Sequence, residues 1–385
     1  IFANHQIFKH LYFIELTLNK CIMRKKSLLL LALAAPLTAF AQTAQRGTID
    51  FELEELKADT LFIGTYLASE IDQRNLRVDT IAPGQAKYTY TAETDTTVYN
   101  VFIASEEELS KTVFLALLPG DHFRVTGNLR DWQVEGSELN AAYAPIQKAC
   151  RPYQERMDSL RRAMTEDVYN NEFMPTWNRM DGLQAAYVRQ HPDSDLSLFI
   201  LSRIGEEWVK ELYPTLTERV KRGPFASIAR VFEEGFRRER TFEENKKRIA
   251  EGAQAPDFTL NDLRGKPLAL SSLRGKYVVL DFWGSWCGWC IVGIPEMKKY
   301  YAKYKDRMEI LGIDCRDKEE VWKAAVEKHA LPWLHVRNEG NPDVSLLYAV
   351  EGYPTKIVVD PEGKIAKIVV GESPEFYEYL DRLFQ

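Results

Sequence analysis

The sequence predicts an α/β fold with a mostly parallel sheet at the C-terminus, preceded by a small antiparallel β domain and a helical region. Three observations carry this. Residues 46–136 hold short runs with period-two alternation, residues 137–250 hold apolar residues at helical spacing, and beyond 253 apolar strands alternate with helical stretches. A length of 385 residues suits two or three domains, and 45% apolar with 28% charged residues is an ordinary globular composition. With 21 Gly and 17 Pro the chain is neither collagen-like nor disordered, and five Cys are too few for a small disulfide scaffold. Fifty basic residues against 56 acidic ones leave no basic excess, so nucleic acid is not an expected partner.

The first 41 residues are expected to lie outside the fold. Residues 1–22 show no pattern and read as sequence upstream of a start at Met23. Met23-Arg24-Lys25-Lys26 is a charged n-region, Leu28 to Ala35 an apolar core, and Ala39-Phe40-Ala41 an A-x-A cleavage site. Residues 23–41 therefore read as a signal peptide, too short for a spanning helix of about 20 apolar residues. Gln42 rather than Cys follows the cleavage site, which argues against a lipoprotein. The expected mature protein is exported and periplasmic, with no stable membrane insertion. Removing 1–41, with its five basic groups and Glu15, leaves 45 bases and 55 acids, a charge of −10.

In the β domain, taken as 42–136, the alternating runs are Thr48–Glu52, Thr60–Tyr66, Ala86–Thr91, Thr97–Ile103, Val113–Leu117 and Phe123–Thr126, separated by turns such as Pro83-Gly84 and Pro119-Gly120-Asp121. Residues 46–136 carry 16 acids and 8 bases, a solvated acidic surface. The helical region, 137–252, balances 19 acids with 19 bases, and Pro145, Pro152, Pro175, Pro192, Pro214 and Pro224 should cut or kink its helices. It holds no catalytic constellation and is expected to connect, pack or dimerise. From 253 to 385 the expected elements are a strand Tyr277–Trp283, a lysine-rich helix 291–305, a strand Met308–Asp314, a helix 317–330, a short strand 333–337, a hairpin of Lys356–Val359 with Ile365–Val370, and a helix 374–384.

The chemistry sits at Cys287 and Cys290, between a strand and a helix in Asp281-Phe282-Trp283-Gly284-Ser285-Trp286-Cys287-Gly288-Trp289-Cys290. A C-x-x-C pair placed so suits dithiol–disulfide exchange. The first sulfur meets the free amides and dipole of the helix N-terminus, which favour thiolate, and the second is one turn away, able to attack a mixed disulfide. Zinc would need a second ligand pair, which is absent, and c-type haem would need a His where Ile291 stands. His122, His191, His329 and His335 are too scattered to suggest a metal site, and no cofactor is implied.

Residues 253–385 resemble the TlpA/ResA-like thiol–disulfide oxidoreductases, with a thioredoxin-like fold. The resemblance is carried by Ala255-Pro256-Asp257-Phe258-Thr259-Leu260, by Leu270-Ser271-Ser272-Leu273-Arg274-Gly275-Lys276, by Trp286-Cys287-Gly288-Trp289-Cys290 and by Gly352-Tyr353-Pro354-Thr355. The preceding β and helical regions are similar, more diffusely, to an uncharacterised N-terminal extension carried by many TlpA-like proteins. The resemblance implies that Cys287 is the exposed nucleophile and Cys290 the resolving thiol. It implies that Pro354 is a cis-proline beside the disulfide, turning the Tyr353 backbone toward a bound peptide, with Trp286 and Trp289 lining the surface around the sulfurs. Asp281 matches a buried carboxylate that could accept the Cys290 proton, and alternation along 277–283 supports its burial.

The implied partners are protein disulfides and a membrane-bound electron donor, with the oligomeric state left open. Two positions depart from the pattern. Trp289 stands where the family usually has Pro, and Gly293 where the ResA-like branch has an acidic residue, so that branch's proton handling does not carry over intact. Cys150 and Cys315 are expected to be separate buried thiols, with Cys315 a candidate third redox thiol because it ends a strand at the same sheet edge. One rival reading is a peroxiredoxin-like peroxide reductase, which shares the Pro-Asp-Phe opening but would need Thr-x-x-Cys where Gly284-Ser285-Trp286-Cys287 stands. Another is a secreted binding protein with a structural disulfide.

Overall fold

A computed structural model describes residues 45–57, 59–67, 76–94, 99–105 and 112–385. The expected upstream segment and signal peptide lie outside these residues, as do the first two residues of the run 97–103. Among the described residues no helix is long and apolar enough to cross a membrane. The chain divides into two compact units, residues 1–233 and 234–385.

The first unit contains strands β1 (Gln45–Leu53), β2 (Leu61–Leu67), β3 (Arg77–Ile81), β4 (Tyr88–Thr94), β5 (Tyr99–Ser105), β6 (Val113–Leu117), β7 (His122–Gly127) and β8 (Trp132–Glu135). They form two four-stranded sheets, ordered β4-β1-β7-β8 and β3-β2-β5-β6. Alternation does what the sequence implies: Ile49, Phe51 and Leu53 from one sheet and Leu61, Ile63, Val101, Ile103 and Leu115 from the other meet in a single core.

Two strands escape the periodicity. In β3 only Ile81 is buried, and β8 has four residues with only Trp132 buried, so neither shows a run of alternating apolar residues. The β domain is also not purely antiparallel, because β1 pairs parallel to β7. The whole second sheet lies between these strands in sequence, which gives the chain room to return in the same direction; alternation reads the same for either pairing.

Helices α1 (Glu138–Arg161), α2 (Met174–Gln190), α3 (Asp195–Leu201), α4 (Glu206–Leu212) and α5 (Ala226–Arg248) follow. Ser137 caps α1 by accepting the Asn140 N–H, and Pro145 and Pro152 lie within that helix rather than ending it. α1 protects the edge of the second sheet. Gln147 Oε1 accepts the Phe114 N–H at 2.9 Å while its Nε2 donates to the Phe114 carbonyl at 2.7 Å. Asn140 does the same for Ala116, at 2.8 Å in both directions. The two amides are seven residues apart on one helix face, and their partners are alternate residues on the free side of β6, so two side chains stand in for a neighbouring strand. Gln147→Leu keeps the shape but leaves a buried N–H and C=O unpaired. It should lower stability by about 2–4 kcal/mol, read as a fall in the urea midpoint at unchanged m-value.

The second unit holds the short hairpin β9 (Thr259–Asn261) and β10 (Pro267–Ala269), then β11 (Tyr277–Trp283), α6 (Gly288–Tyr304), β12 (Met308–Asp314), α7 (Glu319–Lys328), β13 (Leu334–Arg337), β14 (Thr355–Val359), β15 (Ile365–Val370) and α8 (Pro374–Phe384). The sheet order is β13-β12-β11-β14-β15. It is mixed rather than mostly parallel: β12 runs parallel to β11 and β13, whereas β14 is antiparallel to both β11 and β15. The tight turn at Asp360-Pro361-Glu362-Gly363 allows β14 and β15 only an antiparallel pairing.

Strand β11 is central and buried on both faces. Val279 and Trp283 pack with Ile294 and Met297 of α6, Trp322 of α7 and Phe376 and Leu380 of α8. Val278, Leu280 and Phe282 pack on the opposite face with Phe258, Leu311, Tyr348 and Ile357. The fold thus carries the chain up a strand buried from Val278 to Trp283 and, through a four-residue link, into the N-terminus of α6.

Candidate active site

The link from β11 to α6 is Gly284-Ser285-Trp286-Cys287. Asp317, beyond β12, holds it in place by accepting the Ser285 N–H at 2.7 Å and the Ser285 hydroxyl at 2.8 Å. Trp286 folds back so that its indole N–H donates to the Cys315 carbonyl at 2.8 Å. That fold requires glycine at 284, where a Cβ would stand 2.4 Å from Trp286 Nε1 and 3.0 Å from the Cys315 carbonyl oxygen.

Cys287 is the N-cap of α6 and is disulfide-bonded to Cys290. Its Sγ accepts the Cys290 N–H at 3.2 Å. One of the helix's free amides thus already points at the first sulfur, the arrangement that favours a thiolate there. The Tyr353–Pro354 peptide bond is cis. Tyr353 meets Trp286 edge-on with ring centres 5.2 Å apart, and the Arg316 guanidinium lies 5.5 Å from the Trp286 ring centre and 5.4 Å from that of Tyr353.

The surroundings are exposed and apolar. Trp286 is 48%, Trp289 69% and Val292 64% exposed. Cys287 differs from the expectation of an exposed nucleophile: both disulfide cysteines are 6% exposed. They belong to the core cluster beneath α6, against which Tyr353 and Ile291 pack, so in the disulfide state the open surface is formed by Trp286, Trp289 and Val292 with the exposed Arg316 beside them.

Asp281 is 8% exposed on the α6 face of β11. Burial pushes its carboxyl up to about 6, with Glu372 adding to the rise and Lys356 opposing it. Lys356 is the residue opposite Asp281 in the β11–β14 register. Its Nζ lies 2.7 Å from Glu372 Oε2, and Tyr377 Oη donates to Glu372 Oε1 at 2.6 Å. Nothing in sequence pattern marks Asp317, Arg316, Glu372 or Tyr377. Lys356 carried a readable signal, since a lysine inside an otherwise apolar strand needs a buried counter-charge.

Cys150 and Cys315 are free and buried. Burial pushes both thiols up to about 12. The Cys315 sulfur lies 3.2 Å from Ser345 Oγ, in the packing of the sheet face away from α6. A thiol so raised is a poor nucleophile. Native reduced protein treated with iodoacetamide at pH 8 should therefore be alkylated at Cys287. Peptides containing Cys150 and Cys315 should stay unmodified in the mass spectrum until the protein is denatured; native modification of Cys315 would overturn this.

The family model for the AhpC/TSA family matches residues 252–368. The chain is 34% identical over 139 residues to the thiol-disulfide oxidoreductase ResA of Bacillus cereus (strain ZK / E33L), covering 36% of this chain and 80% of that protein. It is 32% identical over 139 residues to ResA of Bacillus subtilis (strain 168), covering 35% and 77%. Among solved structures, the thioredoxin domain of a thiol-disulfide oxidoreductase from Bacteroides vulgatus is similar at 34% identity and a TM-score of 0.34, covering 36% of this chain and 99% of that one.

Proposed function

The chain belongs to the ResA-like thiol-disulfide oxidoreductases, and from that premise we propose that it reduces disulfide bonds of exported proteins through Cys287 and Cys290. The observation that carries this is the geometry at the start of α6, where the Cys290 N–H points at the Cys287 sulfur. In the proposed cycle, Cys287 thiolate attacks a substrate disulfide, forming a mixed disulfide and releasing one substrate sulfur as thiolate. Cys290 passes its proton to Asp281 and attacks Cys287 Sγ. The second substrate sulfur leaves, and the enzyme disulfide forms. Two electrons move from enzyme to substrate, whose two thiolates take up protons. A membrane-bound dithiol donor returns the enzyme to the dithiol state.

The exposed Trp286 and Trp289 would receive the substrate's apolar side chains. The Tyr353 backbone beside Pro354 would pair with an extended substrate segment. Export is inferred from the signal-peptide pattern at 23–41, which supports a periplasmic mature protein beginning at Gln42; N-terminal sequencing of the purified protein checks the start. The dithiol cycle is favoured over a peroxidase because the resolving sulfur sits one helical turn from the nucleophile. Consumption of hydrogen peroxide by the reduced protein should be no faster than by a free thiol.

The direction of transfer is tested by the reduction potential of the Cys287–Cys290 pair, measured by equilibration with glutathione. A value toward that of thioredoxin, about −270 mV, is expected for a reductant. One near that of DsbA, about −120 mV, would make the protein an oxidant and overturn the direction.

A further inference from the structure

Beneath α6 lies a buried set of charges in which two carboxylates share one ammonium. Asp281 and Lys356 stand opposite each other on neighbouring strands, yet the hydrogen-bonded partner of Lys356 is Glu372, at 2.7 Å, with side-chain exposures of 2% and 15% for the pair. Glu372 belongs to the connection between β15 and α8, and Tyr377 of α8 fixes its other oxygen. The carboxylate lies in the space that a side chain on α6 would otherwise occupy: a Cβ at Gly293 would stand 2.3 Å from Glu372 Oε2. Gly293 follows Cys290 by three residues and lies on the same side of the helix, so Glu372 reaches in over the turn that carries the resolving cysteine.

Among the described residues, the remaining groups around Asp281 do not supply a cation. From β12 its neighbour is Gly312, and the ring of His335 on β13 occupies the space over that glycine, 2.8 Å from where a Cβ would stand. Burial pushes His335 down to about 4, so it is neutral at physiological pH. From α8 comes Tyr377, on which both Asp281 and Glu296 of α6 act. Lys356 is thus the ammonium available to Asp281, and Glu372 holds it.

We propose that Glu372 is a positioning residue: by engaging Lys356 it withholds that ammonium from Asp281 and leaves Asp281 able to take the Cys290 proton. A carboxylate from the β15–α8 connection thereby does work for which the helix itself has only Gly293. The proposal rests on the reading of Asp281 as proton acceptor. Glu372→Gln frees Lys356 to act on Asp281, whereas Lys356→Met removes the cation from both carboxylates. The two substitutions should move Asp281 in opposite directions, which a merely structural role would not do.

The test is a 13C-NMR titration of the Asp281 carboxyl in the oxidised full-length protein, together with the pH profile of a single-turnover exchange. Glu372→Gln should lower the Asp281 midpoint by about one to two pH units, the shift expected for a carboxylate gaining a close cation. Lys356→Met should raise it. An Asp281 midpoint that stays put in Glu372→Gln, or moves the same way as in Lys356→Met, overturns the role of Glu372. Asp281→Asn separates the two readings. If its exchange keeps the same acid limb, the assignment of Asp281 fails; if the limb disappears while Glu372→Gln leaves it unmoved, only the proposal for Glu372 fails.

Discussion

Cys287→Ser should abolish disulfide reduction by the full-length protein, leaving insulin to be reduced only at the rate of the dithiothreitol in the assay. Thiol–disulfide exchange proceeds through thiolate, and helix N-termini bring thiol pKa values from about 8.5 into a range of roughly 3.5–7.5. Cys287 is placed for that effect by its N-cap position and by the Cys290 N–H on its sulfur. A serine alcohol in the same place is neither ionised near neutrality nor able to form a disulfide. Cys290→Ser leaves the nucleophile and removes the resolver, so the pre-reduced variant mixed with insulin in the absence of dithiothreitol should stop at the mixed disulfide. The stalled enzyme should carry an insulin chain, visible as added mass that dithiothreitol removes. Retention of turnover in Cys287→Ser would shift the activity to another thiol. Cys150 and Cys315 are poor candidates, being 3% and 1% exposed with thiols pushed up to about 12. Peroxide as substrate distinguishes the peroxiredoxin reading, in which Cys287 alone would sustain the first oxidation.

Elements whose character is local were legible in the sequence. The runs 277–283 and 308–314 are strands with those same bounds: both are mainly apolar, Lys276 and Gly284 border the first, and Arg307 precedes the second. Helix 374–384 also keeps its expected bounds, because Ser373 caps it and Pro374 fits its first turn. α6 begins three residues before the expected 291, since Gly288 and the cap on Cys287 do not announce a helix by propensity. What was not legible depends on partners distant in sequence. The parallel pairing of β1 with β7, the hydrogen bonds that Asn140 and Gln147 make to β6, and the antiparallel seat of β14 beside β11 all follow from how elements meet rather than from their own residues. The same holds at the site. The C-x-x-C pair and its place between strand and helix can be read along the chain. Glu372, which lies 79 residues beyond the glycine it stands over, acquires a meaning only when β14 brings Lys356 beside Asp281.

Asp281→Asn should slow the Cys290 step by about 10²-fold near pH 7, the usual scale for losing a positioned general base, and should leave the protein folded. In the unsubstituted protein the rate should rise with pH through the Asp281 midpoint at about 6, as the carboxylate that accepts the proton becomes available. Asn cannot accept it, so the variant should lose this limb and recover only at alkaline pH, where Cys290 ionises without help. Stability should move the opposite way. The folded-state value of Asp281 lies above its ordinary 3.8, so the native state holds a proton that the unfolded chain has released. Its contribution is favourable below about pH 4 and declines as pH rises toward 6, beyond which the cost of the buried charge is constant. A rise of about two pKa units at roughly 1.4 kcal/mol each corresponds to about 3 kcal/mol. Asp281→Asn should therefore be more stable than the unsubstituted protein by up to about that amount at pH 8 and nearly equal to it at pH 4. Urea melts at the two pH values measure this directly. A variant both slower and more stable at pH 8 identifies a carboxylate kept in the core for proton transfer. One that is slower and less stable at both pH values assigns Asp281 to packing, and the proton from Cys290 must then leave by another route.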